Sequence, residues 1–369
     1  MAKVLIVAPK TSNLINFRGD LIKDIRKKGY EVTAIVPEKE SEEYFEKIGV
    51  KLRFIELDKN SFSLFKTYEY YKELVRIMKE EKPDKVFSYT IKPVVFGSLA
   101  ASKAKVKEIY SLVCGLGYLF SVNTLKVKLI RTFCGLGYKW ALSKNNKVVF
   151  QNQDDIDEFT RRGYVKKEKC ELVNGSGVNL EKFKRNDIPT DRVSFIMVSR
   201  VLKEKGVLEY FEAAKRVREK YPEAKFTYIG AIDKNVNALG LDTLQPYIDN
   251  GDVEYIPETT TVEKYLAEAS VFVLPSYYRE GIPRSIIEGT AMGRPIITTD
   301  TPGCRETVTV GVNGFFVEPK NVDDLAEKMI WMIENKDKLQ DMGNKSYELC
   351  LSKFTIDIIN NNMMNVMNI

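Results

Sequence analysis

Not one of the 369 residues is a histidine. Histidine is the side chain that most often serves as a general base or a zinc ligand, and Ser-His and Cys-His nucleophile pairs require it. Acid–base chemistry in this chain must therefore use carboxylates, a lysine, a tyrosine or the substrate itself. Cysteine is also scarce: the five cysteines are odd in number and form no Cys-x-x-Cys pair, which predicts free thiols in a reducing cytoplasm.

Long apolar runs are missing as well. No window approaches the roughly 18 apolar residues that span a membrane, and the opening KVLIV predicts a first strand rather than a signal peptide. Acidic residues are nearly absent from residues 85–150, which hold eleven Lys and Arg against the single acid Glu108. Residues 1–187 contain 36 basic and 24 acidic residues, whereas residues 188–369 contain 21 and 27. We therefore expect an anion-binding face in the first half only.

Short apolar runs such as EVTAIVP and VFVLPS alternate with amphipathic segments such as VLEYFEAAKRVREKYP. This alternation predicts an α/β protein with parallel sheets covered on both faces. The series restarts near Val193, after the polar stretch KRNDIPTD. We predict two doubly wound domains, residues 1–187 and 188–345, followed by a C-terminal helix over 346–369 that can pack back on the first domain.

The segment YYREGIPRSIIEG places Glu280 and Glu288 just after the apolar run VFVLPS. In doubly wound sheets, ligands bind beyond the carboxyl ends of the strands. Residues 281–284 are predicted to open a helix, where free N–H groups attract an anion. Carboxylates accept hydrogen bonds from neighbouring hydroxyls, so this turn suits a sugar that is attached to a phosphate.

A second turn carries two cations, Arg200 just past the run SFIMV and Lys205 before Gly206. These side chains could bind a diphosphate from the other side of the same sheet edge. Taken alone, the residues also allow a plainer interpretation, in which Lys205 is a solvated residue at a helix start and Arg200 forms a surface pair. The glutamate turn in the same predicted sheet favours the diphosphate.

These residues resemble glycosyltransferase family 4, the retaining nucleotide-sugar transferases with the GT-B fold. The resemblance covers nearly the whole chain, and the Glu-x7-Glu pair is its most specific part. In the first half, NFRGDLI, SYTIKPVVFGSLAA and VCGLGYLF resemble a subgroup that acts on lipid-linked or polysaccharide sugars. The resemblance implies two Rossmann-like domains with an interdomain cleft, the acceptor and membrane-facing domain first and the nucleotide-sugar domain second.

The resemblance also implies roles for single residues. Arg200 and Lys205 would bind the donor diphosphate, Glu280 would hold the transferred sugar, and Glu288 the ribose hydroxyls; Arg200, Lys205 and Glu280 are the catalytic candidates. Many relatives have a histidine where Cys114 or its neighbour stands here. The other donor-binding candidates are Pro257, Glu258, Gly281, Ile282, Pro283 and Arg284, and the acceptor-binding candidates are Asn16, Arg18, Tyr89, Lys92, Gly115 and Gly117.

Two other patterns are given structural interpretations. The sequence CGLGY occurs at 114–118 and 134–138; the first copy predicts a loop facing the cleft, and the second interrupts a helical pattern. The Asp-x-Asp pair, Asp155 and Asp157, elsewhere suggests a metal-bound nucleotide sugar. Here Asn152 is a predicted N-cap, and we expect the acids in the first helical turn to complement the helix dipole. We expect no metal and no cofactor.

Residues 119–144 intersperse apolar side chains with cations, a pattern that suits an anionic membrane surface. The alternative is a core-facing helix with a solvated basic edge. Nucleic acid would also be attracted to such a patch, but no recognition motif accompanies it. The cations are Lys126, Lys128, Arg131, Lys139 and Lys144.

Together these observations predict a cytoplasmic, retaining, metal-independent glycosyltransferase bound peripherally to the inner face of the membrane. The donor is expected to be a UDP-sugar, either a hexose or an N-acetylhexosamine. The acceptor is expected to be a glycan on a polyprenyl diphosphate, in capsule, O-antigen or glycoprotein assembly. The alternatives are a GT-B nucleotide-sugar epimerase and a nucleotide-sugar-binding protein without catalysis.

Overall fold

The computed structural model describes residues 1–57, 63–117, 120, 124–189, 191–232 and 239–369. The chain divides into two compact units, one of residues 1–176 with 356–369 and one of residues 177–355. Each unit is a parallel sheet with helices, as the alternating pattern predicts. All five cysteines are free thiols, also as predicted.

In the described part of the first unit, parallel strands form one sheet in the order β3-β2-β1-β4-β5-β6-β7. The strands are β1 (Lys3–Val7), β2 (Glu31–Val36), β3 (Lys51–Phe54), β4 (Lys85–Tyr89), β5 (Glu108–Val113), β6 (Lys147–Phe150) and β7 (Cys170–Leu172). The helices are α1 (Thr11–Lys27), α2 (Glu42–Lys47), α3 (Leu64–Glu81), α4 (Ile91–Lys103), α5 (Leu125–Ser143) and α6 (Gln153–Arg161), and the last helix of the chain joins them.

In the described part of the second unit, the order is β10-β9-β8-β11-β12-β13, again parallel. The strands are β8 (Ser194–Val198), β9 (Lys225–Ile229), β10 (Glu254–Ile256), β11 (Val271–Leu274), β12 (Ile296–Thr299) and β13 (Gly314–Val317). The helices are α7 (Val207–Lys220), α8 (Leu241–Asp249), α9 (Val262–Glu268), α10 (Arg284–Ala291), α11 (Val322–Glu334) and α12 (Leu339–Lys353).

Strand order reverses once in each sheet. In the first sheet β1 lies between β2 and β4, and in the second β8 lies between β9 and β11. At each reversal, the chain leaves two neighbouring strands toward opposite faces of the sheet. A crevice therefore forms between the two connections, at the carboxyl ends of the strands. The central strand β11 is apolar throughout and buried on both faces, so it can hold the turn that follows it in a fixed position.

The boundary between the units falls at Ser176, earlier than the predicted boundary at Asp187. The intervening residues belong to the second unit because Val178 and Phe183 are buried in its core. The fully buried Arg294 also fixes the predicted linker, since its guanidinium donates to the carbonyl oxygen of Asn186 at 3.0 Å.

The predicted helix over 346–369 is two helices in the structure. The first, α12, begins at Leu339 and belongs to the second unit, and it ends before the buried Phe354. The second, α13 (Ile356–Val366), belongs to the first unit. There Asn360 donates to Asp24 of α1 at 2.8 Å, and the apolar face of α13 is buried beside α1.

The second copy of CGLGY does not interrupt a helix, contrary to the sequence-based expectation. Helix α5 continues through residues 134–138. A side chain at Gly135 would overlap the ring of Tyr164, so this glycine allows close packing inside the helix. Among the described residues, no helix is both long and apolar enough to cross a membrane.

The packing of α13 predicts that Ile359→Ala destabilises the first unit. Ile359 is fully buried, and truncation of such a side chain costs about 2–5 kcal/mol of unfolding free energy. Asn362→Ala, at an exposed position of the same helix, should change it by less than about 0.5 kcal/mol. Urea unfolding measures both values, and hydrogen exchange should locate the loss in α1. Faster exchange in the second unit alone would contradict the packing described.

Candidate active site

The two cations of the second unit follow β8. Arg200 is exposed two residues beyond the strand, whereas Lys205 is buried in a short 3-10 turn before α7. Gly206 follows with φ +75°, and a side chain there would overlap the carbonyl oxygen of Pro275. A glycine is therefore required for the loop after β8 to pack against the end of β11.

Glu280 lies in the turn after β11 and meets Lys205. The Lys205 Nζ atom is 2.5 Å from Glu280 Oε2, and both side chains are almost buried. The other carboxylate oxygen, Oε1, accepts a hydrogen bond of 2.8 Å from Ser276. The backbone N–H of Tyr277 also donates to the carbonyl of Glu204 at 2.9 Å. The structure thus joins the two predicted turns through an ion pair and a backbone hydrogen bond.

A third turn supports this arrangement from β12. Gly303 has φ +82°, and a side chain there would overlap the carbonyl oxygen of Gly281. The hydroxyl of Thr301 donates to the carbonyl of Ser276 at 3.1 Å. The turn that contains Glu280 is therefore fixed from two sides. The sequence interpretation did not single out Gly303 or Ser276, although the Pro-Gly dipeptide at 302–303 was a turn signal.

Helix α10 begins at Arg284 with Pro283 as its N-cap, so Glu288 lies in its second turn, as predicted. Arg284 Nε is 2.9 Å from Glu288 Oε1. Burial raises the pKa of Glu288 above its ordinary value, while the positive charges of Arg284 and Lys182 offset part of that rise. Ile282 is packed into the core, which fixes the backbone N–H groups at the start of the helix.

The remaining donor candidates, Pro257 and Glu258, are exposed residues after β10, the outermost strand of the described sheet. Lys182, which the sequence interpretation missed, donates to the carbonyl of Thr260 at 3.2 Å in the same loop. Lys182 also lies 3.7 Å from Glu263. The charges of Lys182 and Glu263 both act on Glu288, so this loop borders the ribose position inferred for Glu288.

In the first unit, three residues converge at the carboxyl ends of β4 and β5. The Arg18 guanidinium lies 5.8 Å from the centre of the Tyr89 ring. It also reaches the thiol of Cys114, the residue at the expected histidine position. Burial raises the pKa of Cys114, so the thiol carries no charge at neutral pH. Gly115 and Gly117 follow in the left-handed region with φ +95° and +61°.

Two further acceptor candidates lie on helices of the same unit. Asn16 is exposed on α1. Lys92, on α4, lines a cavity of about 530 Å³ together with Phe54 of β3, Tyr70 of α3 and Phe96 of α4.

The Asp-x-Asp pair is part of a helix start. Asn152 is the N-cap of α6, and its side chain accepts from the N–H of Asp155 at 2.9 Å. Asp157 falls one turn later than predicted, where Gln153 donates to it at 2.7 Å. In the part of the chain that the structure describes, no group of three Asp, Glu or Cys side chains is placed to hold a metal ion.

Comparison with known families gives the same division as the geometry. Residues 3–152 match the family described as "Glycosyl transferase 4-like", and residues 178–349 match "Glycosyl transferases group 1". The chain belongs to these glycosyltransferases. The expected family is therefore confirmed, and the second match contains every donor-site candidate.

The glycosyltransferase is similar to curated enzymes over most of their length. It is 28% identical to an N,N'-diacetylbacillosaminyl-diphospho-undecaprenol alpha-1,3-N-acetylgalactosaminyltransferase of Campylobacter jejuni, over 88% of each chain. It is 26% identical to the capsular polysaccharide biosynthesis glycosyltransferase CapM of Staphylococcus aureus, over 92% of this chain and 90% of CapM.

Solved structures share the fold. A glycosyltransferase of Rickettsia africae superimposes with a TM-score of 0.78 at 19% identity, over 100% of this chain and 98% of that one. HepE of Anabaena, solved in complex with UDP, superimposes with a TM-score of 0.79 at 16% identity over 100% of both chains. These similarities confirm the GT-B class of two Rossmann-like domains.

Helix α5 of the glycosyltransferase has apolar residues on two faces. One face packs into the first unit through Tyr138, Ala141 and Leu142. The opposite face is exposed at spacings of three and four residues, and it consists of Leu125, Leu129, Phe133, Leu136 and Trp140. We call these five residues the α5 face.

The cations of α5 are divided between the two faces. Lys128 and Lys139 of α5 are exposed, as is Lys144 directly after the helix, whereas Arg131 is buried against the ring of Phe120 at 5.3 Å. The expectation that Arg131 belongs to the exposed cationic surface is therefore wrong, because this guanidinium is used in packing. Lys126 has its side chain outside the described residues.

The Lys205–Glu280 pair predicts non-additive effects on stability. Lys205→Met or Glu280→Gln alone leaves a nearly buried charge without its partner, which should lower the free energy of unfolding by about 3 kcal/mol. The double variant should cost at least about 1 kcal/mol less than the sum of the two, since neither charge remains. Chemical unfolding of all four proteins measures this coupling, and strictly additive losses would show that the pair contributes no interaction energy.

Proposed function

We propose that the enzyme is a retaining glycosyltransferase that moves a hexosyl or N-acetylhexosaminyl group from a UDP-sugar to a glycan on a polyprenyl diphosphate. The observation that carries the proposal is the meeting of Lys205 and Glu280 at the strand-order reversal of the second sheet. A cation, a carboxylate and a helix start lie together there, which suits a sugar attached to a diphosphate.

The names of the relatives support the substrate class. The Campylobacter jejuni enzyme is named for an undecaprenyl diphosphate-linked substrate. An Escherichia coli relative, 26% identical over 78% of this chain and 76% of its own, is named a UDP-Gal:alpha-D-GlcNAc-diphosphoundecaprenol alpha-1,3-galactosyltransferase. The complex of HepE with UDP is compatible with a uridine nucleotide donor. Assembly of a capsule or another cell-surface glycan fits these names.

Binding of the donor would break the ion pair between Lys205 and Glu280. A bound diphosphate would take over the ammonium group and also meet Arg200 and the N–H groups at the start of α10. Glu280 would then accept hydrogen bonds from hydroxyls of the transferred sugar, and Glu288 from the ribose. As the leaving phosphate gains charge in the transition state, the two cations would stabilise it.

The proposed reaction needs no protein base. In the front-face transfer described for the retaining family, the leaving phosphate helps to deprotonate the attacking hydroxyl. The absence of histidine is compatible with that step. We further propose that no metal takes part, since Asp155 serves as a helix-start residue and the charge of the diphosphate can be met by Arg200 and Lys205.

Replacement of Arg200 tests the donor site. Arg200→Ala removes a charge-assisted contact that forms in the transition state, and we expect a loss of about 100-fold or more in kcat/KM. The assay follows transfer from radiolabelled UDP-sugars to a prenyl diphosphate-linked sugar in the presence of EDTA. The matched control is Arg192→Ala, another exposed arginine of the same unit, which should retain wild-type turnover.

Three outcomes would count against the proposal. Wild-type turnover by Arg200→Ala would remove Arg200 from the donor site. Loss of transfer in EDTA that Mn²⁺ restores would show that a metal takes part. Interconversion of the nucleotide sugar without an acceptor would identify an epimerase in place of a transferase.

We also propose that the α5 face rests on the anionic surface of the membrane that carries the acceptor, at the inner face of the cell membrane. An exposed apolar stripe with lysines beside it suits the boundary between headgroups and acyl chains. The excess of basic residues over residues 85–150 adds long-range attraction to anionic lipid. An apolar stripe on a helix that already packs its other side into the core has no structural use in water.

Charge reversal of Lys128, Lys139 and Lys144 to glutamate tests this surface. Each cation near an anionic bilayer contributes about 1 kcal/mol, so the triple variant should bind phosphatidylglycerol vesicles at least about 100-fold more weakly. Transfer to a short-chain soluble acceptor should persist. The control reverses Lys27, Lys28 and Lys47, exposed lysines of the same unit, with the same change in charge. Equal vesicle binding by both triple variants would leave α5 as an ordinary helix with a solvated basic edge.

A further inference from the structure

Arg18 is a buried cation without a counter-charge. It lies on α1 and is only 4% exposed, and its Nε atom has no hydrogen-bond partner among the described residues. No carboxylate among the described residues forms an ion pair with it. Its neighbours are the ring of Tyr89, at 5.8 Å from the guanidinium, and the thiol of Cys114. Both are neutral groups, so the positive charge is not compensated within this part of the structure.

Arg294 shows how this chain treats a structural arginine. It is buried like Arg18, and its Nε atom also lacks a partner among the described residues, but its terminal N–H groups donate to the carbonyl of Ala269 at 2.9 Å and to that of Asn186 at 3.0 Å. Those carbonyls replace much of the lost hydration. Burial of a charged group without such partners is unfavourable. The described residues offer the Arg18 guanidinium only the Cys114 thiol, which is a weak acceptor. This difference from Arg294 indicates that Arg18 is used for a ligand.

Tyr89 adds a second unpaired donor at the same place. The residue is 3% exposed, and its hydroxyl has no hydrogen-bond partner in the part of the chain that the structure describes. Thr90 follows with φ +69°, a conformation that a β-branched residue rarely adopts. Backbone strain of this kind persists where the surrounding structure holds a functional group in place. Among the described residues, the Arg18 Nε–H and the Tyr89 O–H both lack an acceptor. An oxygen atom would pair with both donors, and the positive charge of Arg18 favours one that carries negative charge.

The position in the fold agrees with a ligand site. Tyr89 ends β4, the strand that neighbours β1 where the order of the first sheet reverses. Cys114 follows β5, the next strand. Ligands of doubly wound proteins bind at such a reversal. The surrounding region, residues 85–150, has eleven basic residues and one acid, so its electrostatic field attracts an anion.

We propose that Arg18 and Tyr89 bind an anionic oxygen of the substrates, namely a phosphate of the diphosphate that joins the acceptor glycan to its lipid. The inference rests on the proposed function for the identity of the acceptor. Arg18 is thus a specificity-determining residue that requires the acceptor to be charged.

The test uses calorimetric titration with UDP at saturation, so that the donor diphosphate site is filled. The probes are a farnesyl diphosphate-linked N-acetylglucosamine and the uncharged farnesyl glycoside of the same sugar. Arg18→Met should weaken binding of the diphosphate probe by about 10- to 100-fold, the range for a charge-assisted hydrogen bond, and should leave the uncharged probe unchanged. Arg18→Lys should recover part of the loss, and Tyr89→Phe should show a smaller one.

Thermal unfolding without ligand separates this role from a structural one. Arg18→Met removes an uncompensated buried charge, so its Tm should equal or exceed that of the wild type. Arg26→Met, on the exposed side of the same helix, is the control and should bind both probes as the wild type does. A lower Tm together with equal weakening for both probes would overturn the proposal, as would wild-type affinity of Arg18→Met for every charged probe.

A titration with UDP alone checks that the Arg18 substitutions leave the proposed nucleotide site of the second unit intact. Affinity for UDP itself should not change in any Arg18 variant. If the wild type binds the diphosphate probe through Arg18 but transfers no sugar, the proposed function fails while the anion site remains.

Discussion

The proposed donor site depends on the contact between the turns that follow β8 and β11. Strand order in the second sheet makes these strands neighbours, and Gly206 lets the first turn approach Pro275 more closely than any side chain would permit. The Lys205–Glu280 pair then forms at 2.5 Å. If either turn moved, a nearly buried charge would lose its partner, which is energetically costly. The ion pair therefore also holds the backbone of both turns in position.

Much of this arrangement could be predicted because its parts are local in the sequence. An apolar strand followed by Glu280, a helix start and Glu288 can be recognised without knowing which strands are neighbours. Gly303 could not be assigned in that way. It lets the backbone after β12 pack against the carbonyl of Gly281 without a side chain between them. This contact exists only because β12 pairs with β11. The domain boundary was misplaced for a similar reason, since Val178 and Phe183 join a core built by residues far along the chain.

Helix α5 shows where composition stops being informative. Its mixture of apolar and basic residues predicted a membrane surface or a basic edge, but it could not tell which residues face outwards. Periodicity usually assigns the apolar stripe to the core, and α5 has apolar residues on both sides. Tertiary packing settles the matter, because Tyr138 and Leu142 are buried while Phe133 and Trp140 are exposed.

Lys205 of the second unit has an anionic partner in the described part of the structure, whereas Arg18 of the first unit does not. This difference affects the energetics of substrate binding. Lys205 is already paired with Glu280, so a diphosphate at that site would replace one anionic partner of Lys205 with another. Arg18 has no anionic partner among the described residues, so a charged group that reached it would offset an existing desolvation cost. In the proposed reaction the donor would therefore displace Glu280 from Lys205, and the acceptor would neutralise the charge of Arg18. An uncharged acceptor would leave the Arg18 cost in place, which makes charge itself a requirement for productive binding.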